Sequence, residues 1–458
     1  MTRRTRPAVV LAAMVLAASV AATAAQAAPH FTLLTRVNAA ATPAVAFART
    51  ADGRLHLVFQ TFGSGAGFSG LGTLSISPSG HPDPVIEALP AWGTGQPGLF
   101  ALPNGELHAV FAATSPTNVA SVWQIVSTDG GATWSAPANV RGGGPNEAGS
   151  YAADITAVAA GSTPFTSLGC CGNVVVQTGL GSGSPSVVVT TPADGAAGNT
   201  ELGVDASTGT VVASWNSIAG NPTNYLQQVG PTVGSVQKVP GQSRNALELA
   251  GRDTGPGVFA AYTPDDTHVR LLRYGGGSIA VGSLKGTTPK ALGVATSLDG
   301  RIWVMWGDDS GGGIAVTRSN KGVTRFEPIQ RVDPHTSDLF RISGDGRLGP
   351  LDLLVDMLPN VKGPIPPTGL YYAHVLPVLS AGVTVTAIKN KLGVVVAHTL
   401  KVTVTDAGDA VAGATVSLGG KTTKTNAKGL ATLVLAGAGG KLTVTSPGYQ
   451  TLTQAVTY

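Results

Sequence analysis

The chain has 458 residues, of which 12% are charged, 5% aromatic and 43% hydrophobic, with a net charge of +4. Its mean hydropathy of +0.21 excludes a disordered chain, which is poor in apolar residues and usually rich in charge. The 62 Gly and 30 Pro follow no three-residue period, which excludes collagen, and the Val/Thr/Gly bias with scattered turn residues predicts an all-β protein.

The first segment reads as a processing signal. Arg3, Arg4 and Arg6 precede an apolar run from Ala8 to Ala25, followed by the small-residue cleavage site Ala25-Gln26-Ala27. This is the pattern of a secretory signal peptide, assigned to residues 1–28. No later apolar run is long enough to span a bilayer. The expectation is a secreted, extracellular, monomeric protein with no membrane span after cleavage. Without the three signal arginines the net charge falls to +1. Residues 29–382 hold 19 basic and 23 acidic residues, net −4, whereas 383–458 hold seven Lys and two Asp, net +5. That asymmetry predicts two domains, 29–380 and 381–458.

From residue 43 onward one unit recurs: an apolar strand, a short Asp/Asn/Gly turn and a second apolar strand. The first copy reads PAVAFARTADGRLHLVFQT and turns at Asp52-Gly53. The second reads PGLFALPNGELHAVFAAT and turns at Asn104-Gly105. Further copies turn near Asp205, Asp253, Asp299 and Asp345, at spacings of 48, 46 and 46 residues. The spacing of 101 from Asn104 to Asp205 leaves room for one degenerate copy, YAADITAVAAGSTPFTSLGCCG. This period matches a β-propeller whose blades are four-stranded sheets. Seven blades are predicted, with six as the alternative. Blade 7 lacks a fourth strand, and HFTLLTRV (30–37) resembles the fourth strand of blade 6. It is therefore expected to close the ring against blade 7, which removes exposed sheet edges.

Blade 2 carries Ser127-Thr128-Asp129-Gly130-Gly131-Ala132-Thr133-Trp134 between its third and fourth strands, which fits the pattern S-x-D-x-G-x-T-W. By this motif the sequence resembles the sialidase-like (BNR, Asp-box) propellers. Blade 6 holds a degraded copy, with Asn320, Gly322 and Thr324 in register and Phe326 one position late. The role expected of Ser127, Asp129, Gly131, Thr133 and Trp134 is structural: Asp129 accepts backbone N–H bonds within its own turn, and Trp134 covers the edge of the blade core. The resemblance also implies a catalytic alternative, in which arginines hold a substrate carboxylate and a Tyr is the nucleophile. On that reading the candidates are Arg341, an echo of the family's Arg-Ile-Pro segment but without the Pro, and Tyr371 or Tyr372, although both tyrosines read first as ordinary strand residues. The first blade lacks the family's Arg, and the family enzymes are six-bladed.

Propeller ligands usually meet the mouth of the central channel. Residues at or before the innermost strands there are Glu147, Tyr151, Glu201, Arg244, Lys290, Asp338 and Arg341, a mixed set suited to a polar ligand such as a glycan. No metal site is expected: the pairs Asp265-Asp266 and Asp308-Asp309 lie on loops and do not form an EF-hand. Zinc-protease, thiol-redox, serine-hydrolase and P-loop patterns are missing, and neither a cofactor nor a nucleic-acid partner is expected. Cys170 and Cys171, the only cysteines, are adjacent. In an oxidising compartment they are expected to form a vicinal disulfide, strained because trans Cα atoms lie ~3.8 Å apart and disulfides prefer ~4.4–6.8 Å.

From about Val383 the texture turns to Thr/Val/Lys alternation. VTVTD (402–406), AGDAVAGATV (407–416), TNAKG (425–429) and SPGY (446–449) follow in an order that resembles the carboxypeptidase-regulatory-like, prealbumin-like fold, a small Greek-key β-sandwich. The resemblance implies an accessory module, and its seven Lys suit an anionic cell-wall polymer. The functional expectation is a secreted non-catalytic protein that binds glycans or cell-surface polymers through the propeller face. The alternative is a glycoside hydrolase of sialidase type working in the channel.

Overall fold

A computed structural model describes residues 31–36, 45–62, 68–90, 92–115, 117, 119–140, 154–170, 173–181, 184–189, 197–217, 223–241, 247–265, 267–283, 291–307, 313–332, 336–359, 369–437 and 439–457. All of the regular structure among them is β. They divide into two compact units, one ending at Val378 and the other starting at Leu379.

The first unit is a β-propeller. Its described residues form seven four-stranded antiparallel sheets, numbered here as blades 1 to 7. The innermost strands are Val45–Arg49, Gly93–Ala101, Asp154–Ala160, Ala197–Asp205, Leu249–Gly251, Ala291–Thr296 and Thr336–Asp345. In blades 1 to 6 the chain runs outward, strand by strand. Blade 7 is composite: Thr336–Asp345, Leu351–Pro359 and Gly369–Val375 take their outermost partner, Thr32–Arg36, from the opposite end of the chain. Thr32 pairs with Tyr372 and Arg36 with Gly369.

Blades pack face to face, so the strands are buried on both faces. Ile302–Gly307, IWVMWG, is buried at every position. Because successive side chains point to opposite faces, each such strand feeds two cores. Trp303 and Met305 join Leu353 and Tyr371 between blades 6 and 7, while Trp306 joins Phe259 and Leu271 between blades 5 and 6. Phe111 packs with Val58 and Leu71 between blades 1 and 2, and its neighbour Val110 with Ile155 between blades 2 and 3. The circuit closes where Leu354, Leu370 and Tyr372 of blade 7 meet Leu57 and Phe59 of blade 1.

The second unit has two four-stranded sheets around one core. In the first, Ser380–Lys389 pairs with Val395–Asp406, which also pairs with Leu430–Leu435 and Asp409–Ala410. The other has the order Lys421–Lys424, Thr415–Leu418, Gly439–Thr445, Leu452–Thr457. Leu400, Val402 and Leu433 of one sheet meet Val416, Leu442 and Val444 of the other. The alternate residues Lys401 and Thr403 face outward, as the period-2 pattern requires. Tyr449 Oη donates to Asp406 Oδ2 at 2.7 Å.

Candidate functional site

Innermost strands from all seven blades line one channel of about 250 Å³. Beside larger residues such as Phe47 and Phe100, its wall includes the small residues Ala46, Gly98, Ala157, Gly203, Gly251 and Gly344. Crowding explains them. A Cβ on Gly251 would lie 1.6 Å from the Val204 carbonyl oxygen, and one on Gly98 would lie 2.6 Å from the Ala157 nitrogen.

The turns that end the innermost strands are bonded from blade to blade. Arg49, at the end of the blade 1 strand, donates from Nε to Asp345 Oδ1 at 2.7 Å, from Nη1 to Gly53 O at 2.6 Å, and from Nη2 to Asp352 Oδ2. Arg49, Asp345 and Asp352 are all buried. Burial alone would lower the Arg49 pKa, but the two carboxylates hold it above its ordinary value. Asp352 also accepts from Tyr372 Oη at 2.7 Å and lies 2.8 Å from His374 Nδ1. Burial pushes Asp352 up, and these bonds, with the Arg49 charge, outweigh it and bring its pKa below the usual value. Asp205 Oδ2 accepts from Gly257 N at 2.6 Å, joining blades 4 and 5. Leu298 N donates to Arg347 O, joining blades 6 and 7. Arg347 reaches past blade 6 to Asp253, 3.7 Å away.

Four residues upstream of Asp205, Arg252 and Asp345 stand Glu201, Glu248 and Arg341, and these three meet. Arg341 Nη2 donates to Glu201 Oε1 at 2.5 Å and Nε to Glu248 Oε1 at 3.0 Å. They come from blades 7, 4 and 5, so only ring closure brings them together. Gln96 and Thr156 of blades 2 and 3 line the same channel. All three charged side chains are partly exposed, Arg341 the most at 25%, so water reaches them. Desolvation, followed by the opposing pull of Arg341 and the repulsion of Glu201, leaves Glu248 well above the ordinary carboxylate range.

The structure thus brings together Glu201 and Arg341 of the residues expected from sequence, and adds Glu248. Asp338 lies in the same strand as Arg341, opposite Leu358. Glu147, Tyr151, Arg244 and Lys290 lie outside the described residues. Tyr371 and Tyr372 do not meet Arg341 in the channel. They sit in the third strand of blade 7, about 10 Å out from the innermost strand at ~4.8 Å per strand. Being consecutive, they point to opposite faces. Tyr371 enters the core toward blade 6, and Tyr372 the core toward blade 1. Burial, followed by the charge of Asp352, pushes the Tyr372 phenol far above its ordinary value, the reverse of an activated nucleophile.

The two expected turn motifs are hydrogen-bonded staples. Asp129 accepts from Thr133 N at 2.9 Å, Thr133 Oγ1 at 2.5 Å and Ser127 Oγ at 2.8 Å, while Ser127 Oγ accepts from Gly131 N at 2.8 Å. The Thr133 bonds lead in holding Asp129 down at about 2. Trp134 packs on the core between blades 1 and 2. In blade 6, Asn320 Oδ1 accepts from Thr324 N at 2.8 Å and Arg325 N at 3.2 Å, the same work done by a neutral side chain.

Among the described residues no cluster of three or more His, Cys, Asp or Glu is placed to hold a metal. The Asp265 carboxylate is taken up by Thr267 and His268; Asp266, Asp308 and Asp309 lie outside the described residues. Cys170 ends the strand Thr163–Cys170 opposite Asn173, and Cys171 lies outside the described residues.

No protein-family model and no curated protein matches the chain. Solved structures do. A protein of unknown function from Dyadobacter fermentans is 14% identical over 75% of this chain and 97% of its own, with a TM-score of 0.43. An alpha-L-arabinanase from Penicillium chrysogenum, complexed with arabinobiose, is 11% identical over 65% of this chain and 100% of its own, at 0.45. The Aleuria aurantia lectin in complex with alpha-methyl-L-fucoside is 12% identical over 74% of this chain and 97% of its own, at 0.36.

Proposed function

We propose that the protein is a secreted, non-catalytic binding protein that takes a neutral glycan at the channel mouth formed by Glu201, Arg341 and Glu248. The observation that carries this reading is the double engagement of Arg341. A guanidinium already shared by two carboxylates is not offered to an anionic sugar, and the cluster as a whole is not positive. Carboxylates of this kind are acceptors for sugar hydroxyls. Glu248, with its raised pKa, carries a proton more readily than an ordinary carboxyl and then donates as well.

A glycoside hydrolase is the second reading, favoured by one observation: two carboxylates with different environments share one site, the arrangement by which carboxyl pairs divide acid and base roles. In that case the pair would be Glu248 as acid and Glu201 as the ionised partner, rather than a Tyr nucleophile of sialidase type.

A glycan array run beside a glycosidase panel separates the two. Binding of neutral oligosaccharides without sugar release, weakened about tenfold or more in Glu201→Gln, is the expected result; losing one hydrogen bond to a charged group is of that size. Sugar release abolished in Glu248→Gln would establish the hydrolase. Absence of both binding and release would remove the channel-mouth reading.

The second unit is, in this proposal, an accessory module of the carboxypeptidase-regulatory-like type. Cys170 and Cys171 form a vicinal disulfide in the secreted protein, checked by intact mass before and after reduction with alkylation. An alkylated mass without prior reduction would show free thiols instead.

A further inference from the structure

The hairpin formed by Ser380–Lys389 and Val395–Asp406 outruns its sheet. Leu430–Leu435 supports the second strand only from His398 to Thr403. Beyond that, Ile388 pairs with Ala397 and Lys389 with Val395 as a two-stranded ribbon. Every residue from 384 to 396 is exposed, so the ribbon projects with both faces in solvent.

Its tip is apolar and rigid. Leu392 is 87% exposed, Val394 57% and Val396 51%, with Val395 and Ile388 also exposed. Asn390 Oδ1 accepts from Leu392 N at 2.9 Å and Val394 N at 3.0 Å, and Gly393 N donates to Asn390 O at 3.0 Å. These bonds order the turn that presents Leu392 to solvent. Lys389 and Lys391 flank it, and residues 383–405 contain no Asp or Glu.

We propose that this tip is a docking element for an anionic lipid surface. A convex apolar tip has no groove of its own to fill, and a bilayer takes such a shape without a matching cavity. Leu and Val side chains gain by entering the acyl boundary, and Lys beside them gains from anionic headgroups, the pairing of terms that drives interfacial binding. A soluble polyanion would use the lysines and leave Leu392 and the valines idle.

The test is sedimentation of the full chain with large vesicles of equal phosphatidylglycerol and phosphatidylcholine, against vesicles of phosphatidylcholine alone. Binding to the anionic vesicles is expected, weakened by salt, and reduced at least about tenfold in Leu392→Asp. The double variant Lys389→Glu with Lys391→Glu is expected to lose the preference for anionic vesicles. Unchanged melting of both variants would show that the fold is intact, as their exposure requires. No sedimentation with anionic vesicles, or equal sedimentation by Leu392→Asp, overturns the proposal. So does a dimer in light scattering that Leu392→Asp dissolves, which would make the tip a self-association surface.

Discussion

At one end of the channel Arg49 is sealed between Asp345 and Asp352, with Tyr372 and His374 completing the shell. At the other Arg341 lies between Glu201 and Glu248, where water reaches it. Both are Arg-between-two-carboxylate arrangements built from strands of the same ring. They differ in how far they are buried. The buried cluster spends its bonds on blade 1, blade 7 and the backbone of its own turn, so it acts as a clasp across the ring closure. The second cluster is partly exposed on the channel wall, where a ligand can reach it. Burial, not residue type, separates a structural site from a candidate binding site.

The comparison breaks most readily at the clasp. Arg49→Ala leaves two buried carboxylates facing each other without a cation, which is expected to cost roughly 3–5 kcal/mol. Urea unfolding at neutral pH measures it, and a loss below about 1 kcal/mol would mean that water enters and rescues the pair. Arg341→Ala makes the same deletion at the open end. Because solvent screens that cluster, the expected loss is smaller, roughly 1 kcal/mol or less, together with loss of glycan binding. Equal losses from the two variants would erase the distinction between the ends.

The two ends should also titrate in opposite directions. The folded pKa of Glu248 is raised, so its contribution is complete below the ordinary carboxylate range and is lost as pH rises through the raised value. The folded pKa of Asp352 is lowered, so its contribution is present above the ordinary range and is lost as pH falls toward the lowered value. Melting temperature against pH should therefore lose a decline on its neutral side in Glu248→Gln while keeping its acid limb. An unchanged profile in that variant would show that Glu248 titrates normally. The smallest effect is expected at the rim of the blades. Asp129→Ala removes the acceptor for Thr133 and Ser127, and a thermal shift smaller than that of Arg341→Ala is expected. A larger shift would make this turn a keystone rather than a local staple.

Much of the ring was legible because its signals are local. The turns recurring every 46 to 52 residues, and the apolar strands beside them, lie in short stretches of sequence. The closing strand was legible too, because Thr32–Arg36 resembles the fourth strand of another blade. Glu248 was missed. Its signal was a lone carboxylate within ALELAG, four residues before Arg252, in the same relation to the turn as Glu201 to Asp205. Tyr371 and Tyr372 are the ordinary strand residues they read as, and the nucleophile role came only from the resemblance. Their late position in the chain suggested a channel site, but a residue's distance from the axis depends on which strand of the blade it occupies, and the third strand is far out.

The sequence by itself determined the all-β fold, the repeat and the contrast between an acidic ring and a basic second unit, because composition and period are properties of short windows. Which carboxylates meet which arginine was decided only by the closed ring. Glu201, Glu248 and Arg341 are separated by as many as 140 residues and belong to three blades, so their contact exists only after the innermost strands converge on one axis. The same convergence excluded Tyr371 and Tyr372, whose consecutive side chains the pleat sends into two different cores.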